Sequence, residues 1–264
     1  MKNYLYGKMT WPEIKQAAKE ERVAIVPIGT IEDHAMHLPV DTDNMIVEEV
    51  CHMAAQQIPD QVVVLPVVSY GINKHHFDFP GAIDIPSFAF IEFLLGITNS
   101  LVKHNFKRII LINGHGSNKD HVSIAAKRTV WENEGVICVA TTPMMLMGNE
   151  EIEKIRQSPP GGISHAGELE TSMYLYKYPE YVNMSLARKE YGLQESEFFG
   201  WDKCNGKVVF TDIWSKISEF GGVGDPTLAS AESGKAFFEC ATDNLVAFVK
   251  EFKQWQIKER VNHQ

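Results

Sequence analysis

The sequence predicts an α/β fold built on a mostly parallel sheet, and three observations carry that expectation. Short apolar, β-branched runs alternate along the chain with segments of helical periodicity. The runs are continuously apolar, as suits strands covered on both faces. Two of them end in glycine-bearing segments rich in histidine and acidic residues, at the strand ends where the ligand crevices of such sheets lie.

Taken in order, Val23–Ile28 (VAIVPI) is the first strand and stops at Gly29. Residues 43–58 follow as a helix, since Met45, Ile46, Val50, Met53 and Ala54 recur on one face. Residues 62–68 form a second β-branched run. Residues 87–104 read as a helix, with Pro86 suiting its first turn. The run RIILI, 108–112, is a third strand ending at Asn113-Gly114. A helix over 118–134, a strand over 136–141 and a long closing helix over 229–256 complete the pattern. The Met-rich stretch that ends in SPPGG, 143–163, is expected to be a loop or lid. No composition shift marks a boundary, so residues 1–264 are expected to be a single domain.

Composition narrows the function classes. The 264 residues carry 34 acidic and 25 basic side chains, a formal charge of −9, which argues against a nucleic-acid-binding face. No stretch approaches 18 uninterrupted apolar residues, so no membrane span is expected. The start, MKNYLYGKMTWPEIKQ, lacks the apolar run of a signal peptide. Cys51, Cys138, Cys204 and Cys240 are scattered without CxxC spacing, which suits reduced thiols in a cytoplasmic protein.

The chemistry concentrates in three segments. After the first strand comes GTIEDHAMHLPVDTD, residues 29–43; after the third comes NGHGSN, residues 113–118; a later segment reads SHAGELETS, residues 164–172. On an extended segment Glu32 and His34 point to the same side. Asp43 lies near the start of the following helix, where it is either an N-cap or a ligand that bridges two ions. Glu32, His34, Asp43 and His115 all map to strand ends, and mixed carboxylate and imidazole donors suit Zn, Mn or Fe. His165 is placed to shuttle a proton. His37, His75, His76 and Ser117 are expected to line the substrate site, and Lys74 and Lys119 are the obvious cations near it.

These motifs, with GGVGDPTLASAESGK at 221–235, resemble the creatininase (creatinine amidohydrolase) family, in the family's order and over nearly the whole chain. The resemblance implies a three-layer α/β/α sandwich, two divalent metal ions and assembly into a homo-oligomer, commonly a hexamer. It implies that Glu32 and His34 bind different ions, that Asp43 bridges them, that His115 completes the first site, and that His165 is the catalytic proton carrier.

The chain departs from creatininase proper at two places. Ser117 stands where creatininase carries an acid two residues after the NGH histidine, so Glu170 is the expected replacement ligand and shares the catalytic assignment with His165. No tryptophan occurs between Trp131 and Trp201, where creatininase packs its flat substrate, so creatinine is not the expected substrate. The expected activity is hydrolysis of a cyclic amide or related C–N bond of a small molecule by water activated between two metal ions. The alternatives are hydrolysis of a C–C bond in an inositol-derived cyclic diketone of the 3-dehydro-scyllo-inosose type, or a metal-dependent lyase or isomerase reaction.

Overall fold

Strand β1 (Val23–Ile28) runs through the middle of the molecule with every residue buried. In the computed structural model, which describes residues 3–192, 196–200, 202 and 205–264, it pairs in parallel with β2 (Val62–Val64) and β3 (Arg108–Asn113). β3 pairs in parallel with β4 (Ile137–Thr141), giving the order β2-β1-β3-β4. The register sets Ile28 opposite Asn113, so β1 and β3 finish level and their following loops emerge side by side. The chain leaves β1 toward β2 and then returns across β1 to β3. The crevice of an open sheet forms at such a switch point.

Successive side chains point to opposite faces of a strand, and both faces are covered. Ala24, Val26, Ile109 and Leu111 pack with residues of α1 (Trp11–Lys19), α3 (Ser87–Lys103) and α4 (Lys119–Glu132), including Ala17, Phe90, Leu94 and Val122. Ile25, Ile110 and Ile112 share the opposite core with α2 (Thr42–Gln57), α7 (Glu168–Lys177) and α8 (Ala231–Phe252), through Val47, Val50, Met173, Phe237 and Leu245. The result is the three-layer α/β/α arrangement.

Several boundaries differ from the sequence expectation. The second strand stops at Val64 rather than 68, because Pro66 lacks the N–H a ladder needs; pairing resumes where Val68 N–H donates to the Pro27 carbonyl. The expected loop over 143–163 contains two short helices, α5 (Pro143–Met147) and α6 (Asn149–Ile155). Thr142 caps α5 by accepting the Met145 N–H at 3.0 Å. Helix α1 went unpredicted although Thr10 and Glu13 form a capping box ahead of it. A small antiparallel pair, β5 (Phe199–Gly200) with β6 (Asn205–Gly206), lies outside the main sheet. Cys51, Cys138 and Cys240 are free thiols, and Cys204 lies outside the described residues.

Candidate metal centre and its cavity

Two glycines bring the strand-end loops together. A Cβ on Gly114 would meet the Asp43 carbonyl oxygen at 2.8 Å and Val47 Cβ at 3.1 Å. A Cβ on Gly29 would fall 2.8 Å from Asn44 Cα. Only glycine lets the ends of β1 and β3 approach the first turn of α2 so closely. That approach carries Asp43, on α2, between the histidines of both loops.

Asp43 is the hub. Its Oδ2 lies 3.1 Å from His115 Nδ1, and its Oδ1 lies 3.4 Å from His34 Nε2. Asp41, not Asp43, occupies the N-cap of α2, so the Asp43 carboxylate is not spent on capping. Glu32 Oε1 also faces His115 Nδ1 at 3.1 Å, and Glu170 Oε2 faces His34 Nε2 at 3.8 Å. His115 donates its other N–H to the Ile72 carbonyl at 3.0 Å, which leaves the Nδ1 lone pair aimed at the two carboxylates. A metal-ligating histidine is commonly oriented in this way.

The arrangement suits a cation better than it suits itself. Glu32 Oε2, Asp43 Oδ2 and His34 Nε2 are buried without a hydrogen-bond partner, and such atoms are costly unless something neutralises them. Four overlapping sets of donors converge closely enough for an ion: Glu32 with His75 and His115, His34 with Asp43 and Glu170, Glu32 with His34 and His165, and Asp33 with His76 and His165. Electrostatics report the same strain. Burial opposes a charge on His115, yet Glu32 and Asp43 outweigh it and hold its pKa well above the ordinary value. Burial likewise opposes charge on His34, but Asp43, Glu170 and Glu32 push its pKa up to about 10. Asp43 is lowered by His34 and His115 in spite of its burial. Burial raises Glu170 to about 7.

His165 lies outside α7, the helix that carries Glu170. It precedes α7 and is held by paired backbone hydrogen bonds with Val223, both 2.8 Å. The GGVGD segment thereby serves as the strap that fixes His165. Its Nε2 donates to the Asp33 carbonyl at 2.8 Å, so Nδ1 is the nitrogen facing Glu32 Oε1, at 3.6 Å. The residues after the two key histidines, Ala35 and Ala166, have φ of 55° and 50°, a left-handed conformation that non-glycine residues adopt at a cost and that recurs at functional sites. Glu170 Oε2 accepts the Ala166 N–H at 2.6 Å, tying this carboxylate to the same turn.

Of the expected substrate-lining residues, His75, His76 and Ser117 join the centre and His37 does not. His75 Nε2 lies 3.0 Å from Ser117 Oγ, and burial with the nearby His76 lowers its pKa to about 4. His76 lies behind Glu32, with Nε2 3.4 Å from Glu32 Oε2 and Nδ1 2.6 Å from Asp33 Oδ1. His37 is buried against α7, hydrogen-bonded to Thr171 Oγ1 at 2.9 Å; of the four, His76 and Ser117 line the cavity, whereas His37 and His75 do not.

A cavity of about 240 Å³ opens over the centre at the carboxyl ends of β1 and β3, lined by Glu32, Asp43, His115 and Glu170 and, from α5 and α6, by Met144, Met145 and Ile152. A second groove of about 570 Å³ between Trp11, Lys15 and Lys107 lies at the opposite, amino end of the strands and contains none of the residues of the candidate metal centre.

Sequence reasoning passed over three residues. Asp33 stands between the two expected ligands Glu32 and His34. Trp214 stacks on His76 at 4.7 Å and meets His165 edge-on at 5.0 Å, so an aromatic lid comes from a segment outside the expected one. Glu168, fully buried, accepts the Gln157 and Ser158 N–H groups, both at 2.7 Å, and fastens the segment between α6 and α7. Their short-range context carried no signal.

Comparison with known proteins bears on this centre. Residues 7–249 match the family profile described as Creatininase, creatinine amidohydrolase. The mycofactocin precursor peptide peptidase of Mycolicibacterium smegmatis is 28% identical over 238 residues, covering 89% of this chain and 85% of that protein. The 3-dehydro-scyllo-inosose hydrolase of Thermotoga maritima is 25% identical over 271 residues, covering 94% and 83%. A solved structure described as "Creatininase Mn" superposes with a TM-score of 0.82 at 21% identity, covering 95% of this chain and 98% of that one.

Proposed function

The chain belongs to the creatininase family, and on that premise we propose that it hydrolyses the C–N bond of an amide in a small molecule, using two divalent cations. The observation that supports this best is the orientation of Asp43, with one oxygen turned to His34 and the other to His115. A carboxylate so turned suits bridging of two ions. In this reading Glu32, Asp43 and His115 would hold the first ion, and His34, Asp43 and Glu170 the second. Imidazole and carboxylate donors together suit Zn, Mn or Fe. Bound divalent cations would supply Lewis acidity, polarising a carbonyl and acidifying water.

The protein's own groups do the remaining work. His165, with Nε2 committed to the Asp33 carbonyl, takes up a proton at Nδ1 as the water oxygen bonds to the carbonyl carbon. It returns that proton to the departing nitrogen as the C–N bond breaks. Ser117, on the cavity wall and hydrogen-bonded to His75, offers the substrate a neutral polar contact. Trp214 covers His75, His76 and His165 and restricts water on that side.

The test is metal analysis together with turnover in ¹⁸O-labelled water. Two ions per chain, with solvent oxygen entering a carboxylate product, are expected. Retention of both ions by Asp43→Asn would overturn the bridging assignment, and a product free of solvent oxygen would overturn hydrolysis.

A further inference from the structure

The cavity has two characters. Its ionisable wall comes from the strand-end loops, and the rest comes from α5, α6 and α7: Met144, Met145, Ile152, Leu169 and Met173, with Ile46 of α2. Met145 is 61% exposed, although an apolar side chain over a polar centre is more stable when covered. Thioether side chains are flexible and polarizable and adapt to a range of apolar shapes. They suit a wall that receives a branched or aromatic group. The volume of about 240 Å³ is below the roughly 300–1,000 Å³ that drug-sized ligands occupy, so the scissile bond and about one side chain fill it.

Lys119 lines the same cavity; the other cation near the motifs, Lys74, does not. Lys119 is exposed and has no ion-pair partner among the described residues. It opens α4, so the positive end of a 14-residue helix lies beside it. Glu32, Asp43 and Glu170 are the acidic residues of the cavity lining. Two divalent cations would exceed their combined charge by one unit, and Lys119 would add another. A loaded cavity is therefore cationic within an acidic protein, which favours an anionic substrate.

We propose that the substrate is an amide bearing an apolar side chain and a free carboxylate, the side chain lying against Met144 and Met145 and the carboxylate meeting Lys119. This deepens the amide-hydrolase reading above and rests on it. The matching chemical class is the N-acylated apolar amino acid or the short peptide with a free C-terminus.

The experiment uses the metal-loaded protein and matched probes: N-acetyl and N-glycyl derivatives of glycine, leucine and phenylalanine, each as the free acid and as the C-terminal amide. Turnover is measured, and binding is measured separately by calorimetry. Leucine and phenylalanine free acids are expected to exceed the glycine compounds at least tenfold in kcat/KM, and capping the carboxylate is expected to raise KM at least tenfold. Lys119→Met should raise KM for the free acids at least tenfold more than for the amides. The Met144→Ala, Met145→Ala double variant should erase the preference for leucine over glycine. Equal treatment of free acids and amides by the native protein would overturn the proposal, as would a Lys119→Met effect of the same size on both. Calorimetry separates the two readings. Lys119-dependent binding of free acids without turnover would sustain this proposal and count against amide hydrolysis, whereas turnover indifferent to the carboxylate would do the reverse.

Discussion

Asp33 Oδ1 lies 2.6 Å from His76 Nδ1, and both side chains are buried. The other nitrogen of His76 faces Glu32 Oε2 at 3.4 Å. A carboxylate–imidazole pair thus stands behind the oxygen of Glu32 that is turned away from His115. Partners behind a metal ligand fix its orientation, and their loss typically weakens metal binding by about 10–100-fold. Asp33→Asn is expected to lower metal affinity within that range while the protein stays folded. Competition with a chelator, alongside circular dichroism, measures both; unchanged affinity would remove His76 and Asp33 from the metal centre.

His165 and Asp43 should separate chemistry from metal binding. His165→Ala is expected to keep its metal and lose about 10²–10⁴-fold in turnover, the usual scale for a positioned proton carrier. Asp43→Asn should lose metal and activity together. Elemental analysis beside a turnover assay distinguishes them. If His165→Ala also lost its metal, His165 would be a ligand instead.

Metal binding should release protons. Without metal His34 has its pKa pushed up to about 10 and Glu170 is raised by burial to about 7, so near neutral pH His34 holds a proton and Glu170 binds one more readily than an ordinary carboxylate. A ligand must shed its proton to accept a cation. Lower pH therefore keeps the ligands protonated and weakens binding, and affinity should climb as pH rises from about 6 to about 8. Titration with metal in lightly buffered solution should acidify it. Affinity independent of pH over that window would contradict the assignment.

The metal-free fold should weaken in mild acid. Burial, followed by the charge of His34, lowers the His37 pKa to about 4 from 6.5, and His75 is lowered similarly. Below pH 6.5 the unfolded chain takes up protons that the folded one refuses, so stability falls as pH drops from 6.5 toward about 4. Glu170 opposes this, because its raised pKa makes the folded state the better proton acceptor between about 4.5 and 7. Burial and the neighbouring His34 and His76 also hold His165 well below the ordinary value, so three lowered histidines outweigh one raised carboxyl. Denaturant midpoints of the metal-free protein at pH 6.5 and 4.5 measure the net loss, which should be smaller in the His37→Gln, His75→Gln double variant; an undiminished loss would remove these two residues as its source.

Gly114→Ala should damage the site through the backbone. The added Cβ would meet the Asp43 carbonyl at 2.8 Å, forcing β3 away from α2 and His115 away from Asp43. Overpacking of this kind costs about 1–3 kcal/mol. A shifted unfolding midpoint together with weakened metal binding is the expected result, and a change in stability alone would show that the shift does not reach His115.

Strand and helix identity was legible because apolar periodicity is local. VAIVPI and RIILI each became a buried strand, and the helix that begins at Ser87 starts where Pro86 indicated. The Met-rich segment escaped as two short helices because a five-residue α5 held by one Thr142 cap carries too little periodicity to read. Glu32, His34 and His115 were legible as a group because each follows closely on a strand end, and parallel strands deliver such residues to one edge; Asp43 joins them from the start of the helix that follows β1.

By itself the sequence determined the α/β class and the supply of carboxylates and imidazoles at that edge, both properties of near neighbours along the chain. Tertiary structure decided which nitrogen of His115 and of His165 faces inward, because that depends on distant carbonyls: Ile72 for His115 and Asp33 for His165. It decided that His37 packs against Thr171 while His76 stands behind Glu32. It also brought Trp214 over His76 and Met144, Met145 and Lys119 into one cavity. Contacts between residues so far apart in sequence are set by how the layers pack, and no local pattern encodes them.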